Sequence, residues 1–200
     1  MNYFFRFLCL FGLTLVLFSC KNDPKNETGV EPLKENAKPD KKVLTEKEKK
    51  RITSIMTKTM STIELKSFAS FIVTTGLADK LLNEEGPFTI IAPSNDAFSK
   101  VDAQEMKSWL NPSNREQLIK LVKNHIVSGN LTSATLVQNI KAANGSYKIV
   151  SLSGSSYIAS LDGTNIIITD SKGVKAVIGK SDIIGSNGIL HVLDTVLDKD

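Results

Sequence analysis

The chain has 200 residues, with 25 Lys and Arg against 21 Asp and Glu, two His and two Cys. At 41% apolar residues it can build a core, which excludes disorder throughout. The net charge of +4 resolves into Arg6 alone in residues 1–20, nine Lys and seven acids in 21–50, and fifteen basic against fourteen acidic groups in 51–200. The folded part is therefore close to neutral, and no nucleic-acid partner is expected. Trp109 and the nine Phe are not spaced as a base-stacking platform either.

The first element is an address. An apolar run from Phe7 to Phe18 follows Arg6 and has the length of a signal-peptide hydrophobic region. Residues 7–20 are uncharged and would span about 21 Å as a helix, short of the roughly 30 Å a bilayer core requires. The run ends Leu17-Phe18-Ser19-Cys20, which resembles the lipobox of bacterial lipoproteins. In that family the cysteine is acylated and becomes the new N-terminus. The resemblance implies a signal peptide over 1–19, lipidation at Cys20, and anchoring to a bacterial cell envelope, at the outer membrane or cell surface. The membrane would be engaged through lipid and not through a spanning helix.

Residues 20–44 contain no aromatic residue, three prolines (Pro24, Pro32, Pro39) and many Lys, Glu and Asn. Such a stretch buries too little apolar surface to offset its ordering entropy and is expected to be a disordered, charged tether. A folded domain is expected over 45–200.

That domain opens with a capping box at Thr45 and Glu48. Ile52, Ile55, Met56, Met60 and Ile63 follow at helical spacing, predicting one buried stripe. A second helix is predicted from Glu64 to Thr75, with Leu65, Phe68, Phe71 and Ile72 inward and Gly76 in the left-handed position after it. Residues 87–92 form a short apolar run that reads as a buried strand. Ser94 is placed to cap a short helix carrying Phe98 inward. Asp102 with Glu105, and Ser113 with Glu116, are further cap signatures, the second leading to Leu118, Leu121 and Val122. Thr132 or Ser133 caps another helix. From Ser146 the period changes to two, with strands expected at 146–151, 156–161, 165–169, 174–178 and 189–197. Gly154, Asp162-Gly163, Gly173 and Asn187-Gly188 supply the turns. Helices first and strands later argue an α+β fold.

Phe88-Thr-Ile-Ile-Ala-Pro-Ser-Asn-Asp-Ala-Phe98 resembles the first signature box of the fasciclin (FAS1) domain. Asn187-Gly-Ile-Leu-His-Val-Leu-Asp194 resembles its second box. His125-Ile-Val with Gly129 is similar to the family's central motif, with Asn124 where an aromatic residue is usual. Asp182-Ile183 matches a short segment that often precedes the second box. The resemblance covers about residues 50–198. It implies a FAS1-like wedge of two small β-sheets flanked by helices, with the two boxes adjacent. It also implies adhesion, or recognition of a protein or glycan, without turnover. Segments around the central histidine and around Asp-Ile are implicated in receptor contact in animal members. Carried to this chain, they make Asn124, His125, Lys180, Asp182 and Ile183 the partner-binding candidates.

Catalytic chemistry is sparse. Both cysteines lie in the first twenty residues, so the domain has no cysteine nucleophile, disulfide or thiolate site. Two histidines cannot build a multi-histidine zinc site. No phosphate loop, dinucleotide fingerprint or Ca²⁺ loop is present, and neither cofactor nor metal is expected. Ser94 lies on a strand-to-helix turn, where a cap is expected but pairing with His125 or His191 as a hydrolase is to be checked. His191, between Leu190 and Val192, reads as a core histidine bonded to backbone. Asp79, Glu84, Glu85, Asp162 and Asp170 read as solvated loop charges. The alternative to adhesion is an envelope carrier holding a small apolar ligand or a polysaccharide in a cleft.

Overall fold

A computed structural model describes residues 43–199. The signal segment, Cys20 and nearly all of the tether lie outside the described residues.

The centre of the fold is a pair of wholly buried strands that are distant in sequence. β1 (Phe88–Pro93) and β8 (Gly188–Leu193) run parallel from Phe88 opposite Gly188 to Pro93 opposite Leu193. The two signature boxes are thus neighbours. β2 (Ile126–Ser128) pairs antiparallel with β1, and β7 (Ile183–Gly185) pairs antiparallel with β8. The first sheet has the order β2-β1-β8-β7. The second is an antiparallel meander of β3 (Tyr147–Val150), β4 (Ser156–Asp162), β5 (Asn165–Thr169) and β6 (Lys175–Val177). Single bridges from Val127 to Ser151 and from Ile178 to Leu193 link the two sheets.

Alternation along the central strands feeds two cores, because successive side chains point to opposite faces. Ile90 and Ala92 of β1, with Leu190 and Val192 of β8, join one cluster containing Ile55, Phe68, Ile72, Phe98, Leu121 and Val122. Ile91 and Leu193 face the other cluster, with Leu136, Ile140, Tyr157 and Ile168. Burying each such side chain is worth about 1.5–3 kcal/mol before entropy is counted. This explains why both faces of these strands are apolar.

Eight α-helices are formed among the described residues. α1 (Glu46–Ile52) begins at the predicted capping box, where Thr45 Oγ1 accepts from the Glu48 amide and Glu48 accepts from the Thr45 amide. It stops at Thr53, and Ser54 caps a separate helix, α2 (Ile55–Ser61), by accepting from the Thr57 amide. The single apolar stripe is therefore cut. Ile55 and Met56 are buried, whereas Ile52, Met60 and Ile63 are exposed. A polar Thr53-Ser54 pair stabilises a non-helical break, so residues on either side no longer share a face.

A short 3₁₀ turn precedes α3 (Lys66–Thr75), which ends at Gly76 with φ of 81°, as predicted. α4 (Ala78–Asn83) follows and takes in Asp79, which was expected in a loop. Ser94 caps α5 (Asn95–Ser99) through the Ala97 amide, and Asp102 caps α6 (Ala103–Leu110). The predicted cap at Ser113 is not formed. Asn111 instead accepts from the Ser113 amide, residues 112–114 make a 3₁₀ turn, and α7 (Arg115–Asn124) starts after it. Thr132 caps α8 (Ser133–Ala142).

The last strand ends at Leu193, not at residue 197. Ser186 and Asn187 form the loop before it, since Gly185 already pairs with Gly188. Gly188 thus serves close approach: a Cβ there would lie 2.2 Å from the Phe88 carbonyl oxygen.

Candidate functional site

Asn124 and His125 end α7 inside the protein, 1% and 0% exposed. The Asn124 amide donates to the Asp198 carbonyl at 3.1 Å, and its Oδ1 accepts from the Ser153 and Ser155 hydroxyls. His125 Nδ1 lies 2.9 Å from the Leu121 carbonyl, and Nε2 accepts from the Leu197 amide at 3.3 Å. These contacts assign the neutral ring, with the proton on Nδ1. Burial pushes its pKa down to about 4, against the opposing bond to Leu121 and the charge of Asp198.

Asp170 completes this clasp on the C-terminal segment. It is buried, not solvated: Oδ2 accepts from the Asp198 amide, while Oδ1 accepts from the Lys172 and Val174 amides. The carboxylate spans two chain segments by satisfying backbone donors, a role that its position between strands does not reveal. The side chain at 124 is therefore spent on tertiary bonds. With two short polar functions it can do what an aromatic ring would not.

The Lys180–Ile184 segment lies at the opposite edge of the first sheet. Asp182, with φ of 57°, accepts from the Ser133 amide at 2.8 Å and from the Ser133 hydroxyl, reaching the N-terminus of α8. Its bonds to Ser133 are tertiary, across 49 residues of sequence. Partial burial opposes its ionisation, but the Ser133 bonds and nearby His191 outweigh this and hold its carboxyl below the usual range. The Asp182 amide in turn approaches His191 Nδ1 at 3.4 Å, and His191 Nε2 lies 2.7 Å from the Leu131 carbonyl. Burial lowers the His191 pKa although the Leu131 bond opposes it. Sequence marks Ser133 only as an alternative helix cap, a place that Thr132 takes, and does not mark Leu131. Their pairing with the 182–191 region spans some fifty residues or more, beyond any local pattern.

The exposed members of this edge are Lys180 and Ile184. Lys180 pairs with Glu64 at 3.1 Å, between groups largely open to water, where such a pair adds little stability. Ile183 packs partly into the core, while Ile184 is 69% exposed. Of the five candidates, the fold hides Asn124 and His125, half-covers Asp182 and Ile183, and displays Lys180.

Ser94 accepts from the Ala97 amide as a helix cap. Each histidine has one ring nitrogen facing a backbone carbonyl and the other facing a backbone amide. Neither ring is offered to Ser94. Among the described residues no group of three or more His, Cys, Asp or Glu is placed to hold a metal ion. No described helix is long and apolar enough to cross a membrane. A cleft of about 360 Å³ lies between α1 and the segment after α4, and its lining residues include the charged Glu46, Lys47, Lys50, Arg51, Glu84 and Glu85.

The parallel β1–β8 pair, its two cores and the clasped α7 terminus coincide with a match to the Fasciclin domain family over residues 64–199. The chain belongs to the fasciclin domain family. Its fasciclin domain is 31% identical over 133 residues to Protein sll1483 of Synechocystis, covering 66% of this chain and 67% of that one. It is 28% identical over 120 residues to transforming growth factor-beta-induced protein ig-h3 of Sus scrofa, covering 60% of this chain but 16% of the relative. The fold is shared with a FAS1 domain pair from the insect cell adhesion molecule Fasciclin I. That likeness has a TM-score of 0.65 at 18% identity, over 72% of this chain and 50% of the other. The chain thus spans half of that pair and a small part of the long animal relative.

Proposed function

We propose that this protein is a lipid-anchored, non-catalytic adhesion or interaction module of a bacterial cell envelope. In this reading residues 1–19 direct export, Cys20 carries the lipid, and residues 20–44 tether the fasciclin domain clear of the membrane. The partner is an extracellular protein or glycan. The observation that carries the binding reading is the contrast between a sheet edge with Ile184 outward and histidines engaged wholly by backbone. An exposed branched apolar side chain beside a lysine is a usable contact point, whereas hydrogen-bonded core histidines are not poised for turnover. Support for adhesion comes also from the shared fold with a cell adhesion molecule.

Two experiments test the proposal. Metabolic labelling with a fatty acid is expected to mark the wild-type chain and not Cys20→Ala; labelling of the variant overturns the anchor. A pull-down from envelope extracts and matrix with the full chain is expected to recover a partner that Ile184→Asp loses. Equal recovery by the variant overturns the edge as the contact.

A further inference from the structure

A second cleft, of about 750 Å³, lies between α6, α7 and the C-terminal segment. Its floor includes Trp109, the chain's single tryptophan, and Leu121. Its rim includes Gln104 and Glu105 from α6, with Gln117 and Lys120 from α7. Gln117 and Lys120, three residues apart, share one wall of α7, as Glu105 and Ser108, which also lines the cleft, do on α6.

Several of these groups have hydrogen-bonding capacity that the fold leaves unused. Glu105 Oε1 is buried without a hydrogen-bond donor, while Oε2 sits 3.8 Å from the Lys199 ammonium. Gln117 Oε1 accepts only a long bond of 3.4 Å from the Ser108 hydroxyl, and its amide nitrogen makes none. Gln104 is bonded through its backbone amide to Asp102, and neither its side-chain amide nor the Lys120 ammonium has a partner among the described residues. A buried acceptor without a donor costs free energy, which a ligand donor would recover.

The chemistry selects the occupant. An apolar ligand would strand these amides and carboxylates, while an anion would face Asp102, Glu105 and Asp198 together. A compact cation would find Lys120 and Lys199 opposing it. A neutral polyhydroxylated ligand supplies donors for Glu105 and Gln117 Oε1, and acceptors for the two amides and the ammonium. It also presents C–H surface to an apolar floor.

We infer that the α6–α7 cleft binds a neutral saccharide. This rests on the non-catalytic binding role proposed above but not on the β7 edge. It gives the domain two contact sites on different elements.

Trp109 makes the test direct. The full chain is titrated with neutral gluco-, manno-, xylo- and chito-oligosaccharides while tryptophan emission is followed. At least one series is expected to give a saturable change. Gln104→Ala with Gln117→Ala, both exposed and outside the core, is expected to weaken binding tenfold or more. Glu105→Ala is expected to weaken it similarly, with the unfolding midpoint of each variant confirming that it is folded. Ile184→Asp is expected to leave saccharide binding intact while losing the partner of the β7 edge. No saturable change with any series overturns the inference, as does binding that the double variant retains. Saccharide binding lost in Ile184→Asp would place the glycan at the β7 edge and overturn the cleft.

Discussion

Asn124–His125 and Lys180–Ile184 are both segments to which a family resemblance attaches partner contact, and both contain a residue hydrogen-bonded across the fold. Their surroundings differ. At the end of α7 each polar atom faces backbone or a serine hydroxyl, and both side chains are almost wholly buried. At the β7 edge only Asp182 is so committed, while Lys180 and Ile184 remain in solvent. A buried polar group pays its desolvation cost only through full pairing, so its value is structural. An exposed side chain leaves its desolvation to the moment of binding. The first segment thus holds the C-terminus in place, and the second is free to be read.

This contrast can be broken most sharply at His125. His125→Ala leaves the Leu121 carbonyl and Leu197 amide without a partner and opens a cavity, so a loss of about 3–5 kcal/mol is expected. Urea unfolding checks it: a midpoint unchanged from wild type would mean that the clasp contributes nothing.

The same residue sets an acid limit. As pH falls below about 6.5 the unfolded chain takes up a proton on this histidine, whereas the native ring resists until about 4. The contribution is complete above about pH 6.5 and is lost progressively as pH falls to about 4, amounting to about 3 kcal/mol. His191, also lowered by burial, acts in the same direction. Unfolding free energy measured from pH 7 to 4 should fall, and less steeply in His125→Ala; parallel slopes would remove His125 as the cause.

At the other edge the expected effects are smaller. Asp182→Ala removes the acceptor that holds Ser133 at the start of α8 and should cost about 1–2 kcal/mol by thermal or urea unfolding. A cost near that of His125→Ala would erase the distinction between the two segments. Ile184→Asp should change stability by about 0.5 kcal/mol or less, yet lose the captured partner. An intact interaction in a folded variant would show that this exposed side chain is not what is read.

Much of the fold was legible because it depends on local chemistry. The Thr45–Glu48 box, Gly76, the Ser94 and Asp102 caps, the alternation at the start of β4 and the apolar run of β5 each occupy a few consecutive residues. β2 and β7 were not: each has three residues and, unlike the equally short β6, neither continues a run of strands marked off by turn residues. α4 is six residues long and was hidden among Asp79, Glu84 and Glu85. The break between α1 and α2 was missed because the apolar spacing continues across Thr53-Ser54 while the backbone does not. Asp170 was misread for a related reason: a carboxylate between two strands looks solvated until its amide donors are in place.

By itself the sequence determined the α+β class, the buried character of β1 and β8, and the family of the domain, because periodicity, caps and signature boxes are written in neighbouring residues. Only the tertiary structure decided that Asn124, His125 and Asp170 clasp the C-terminal segment, that Asp182 reaches Ser133, and that Lys180 and Ile184 stay outside. Those outcomes depend on partners 28 to 74 residues away, whose hydrogen bonds and burial exist only once the chain has closed.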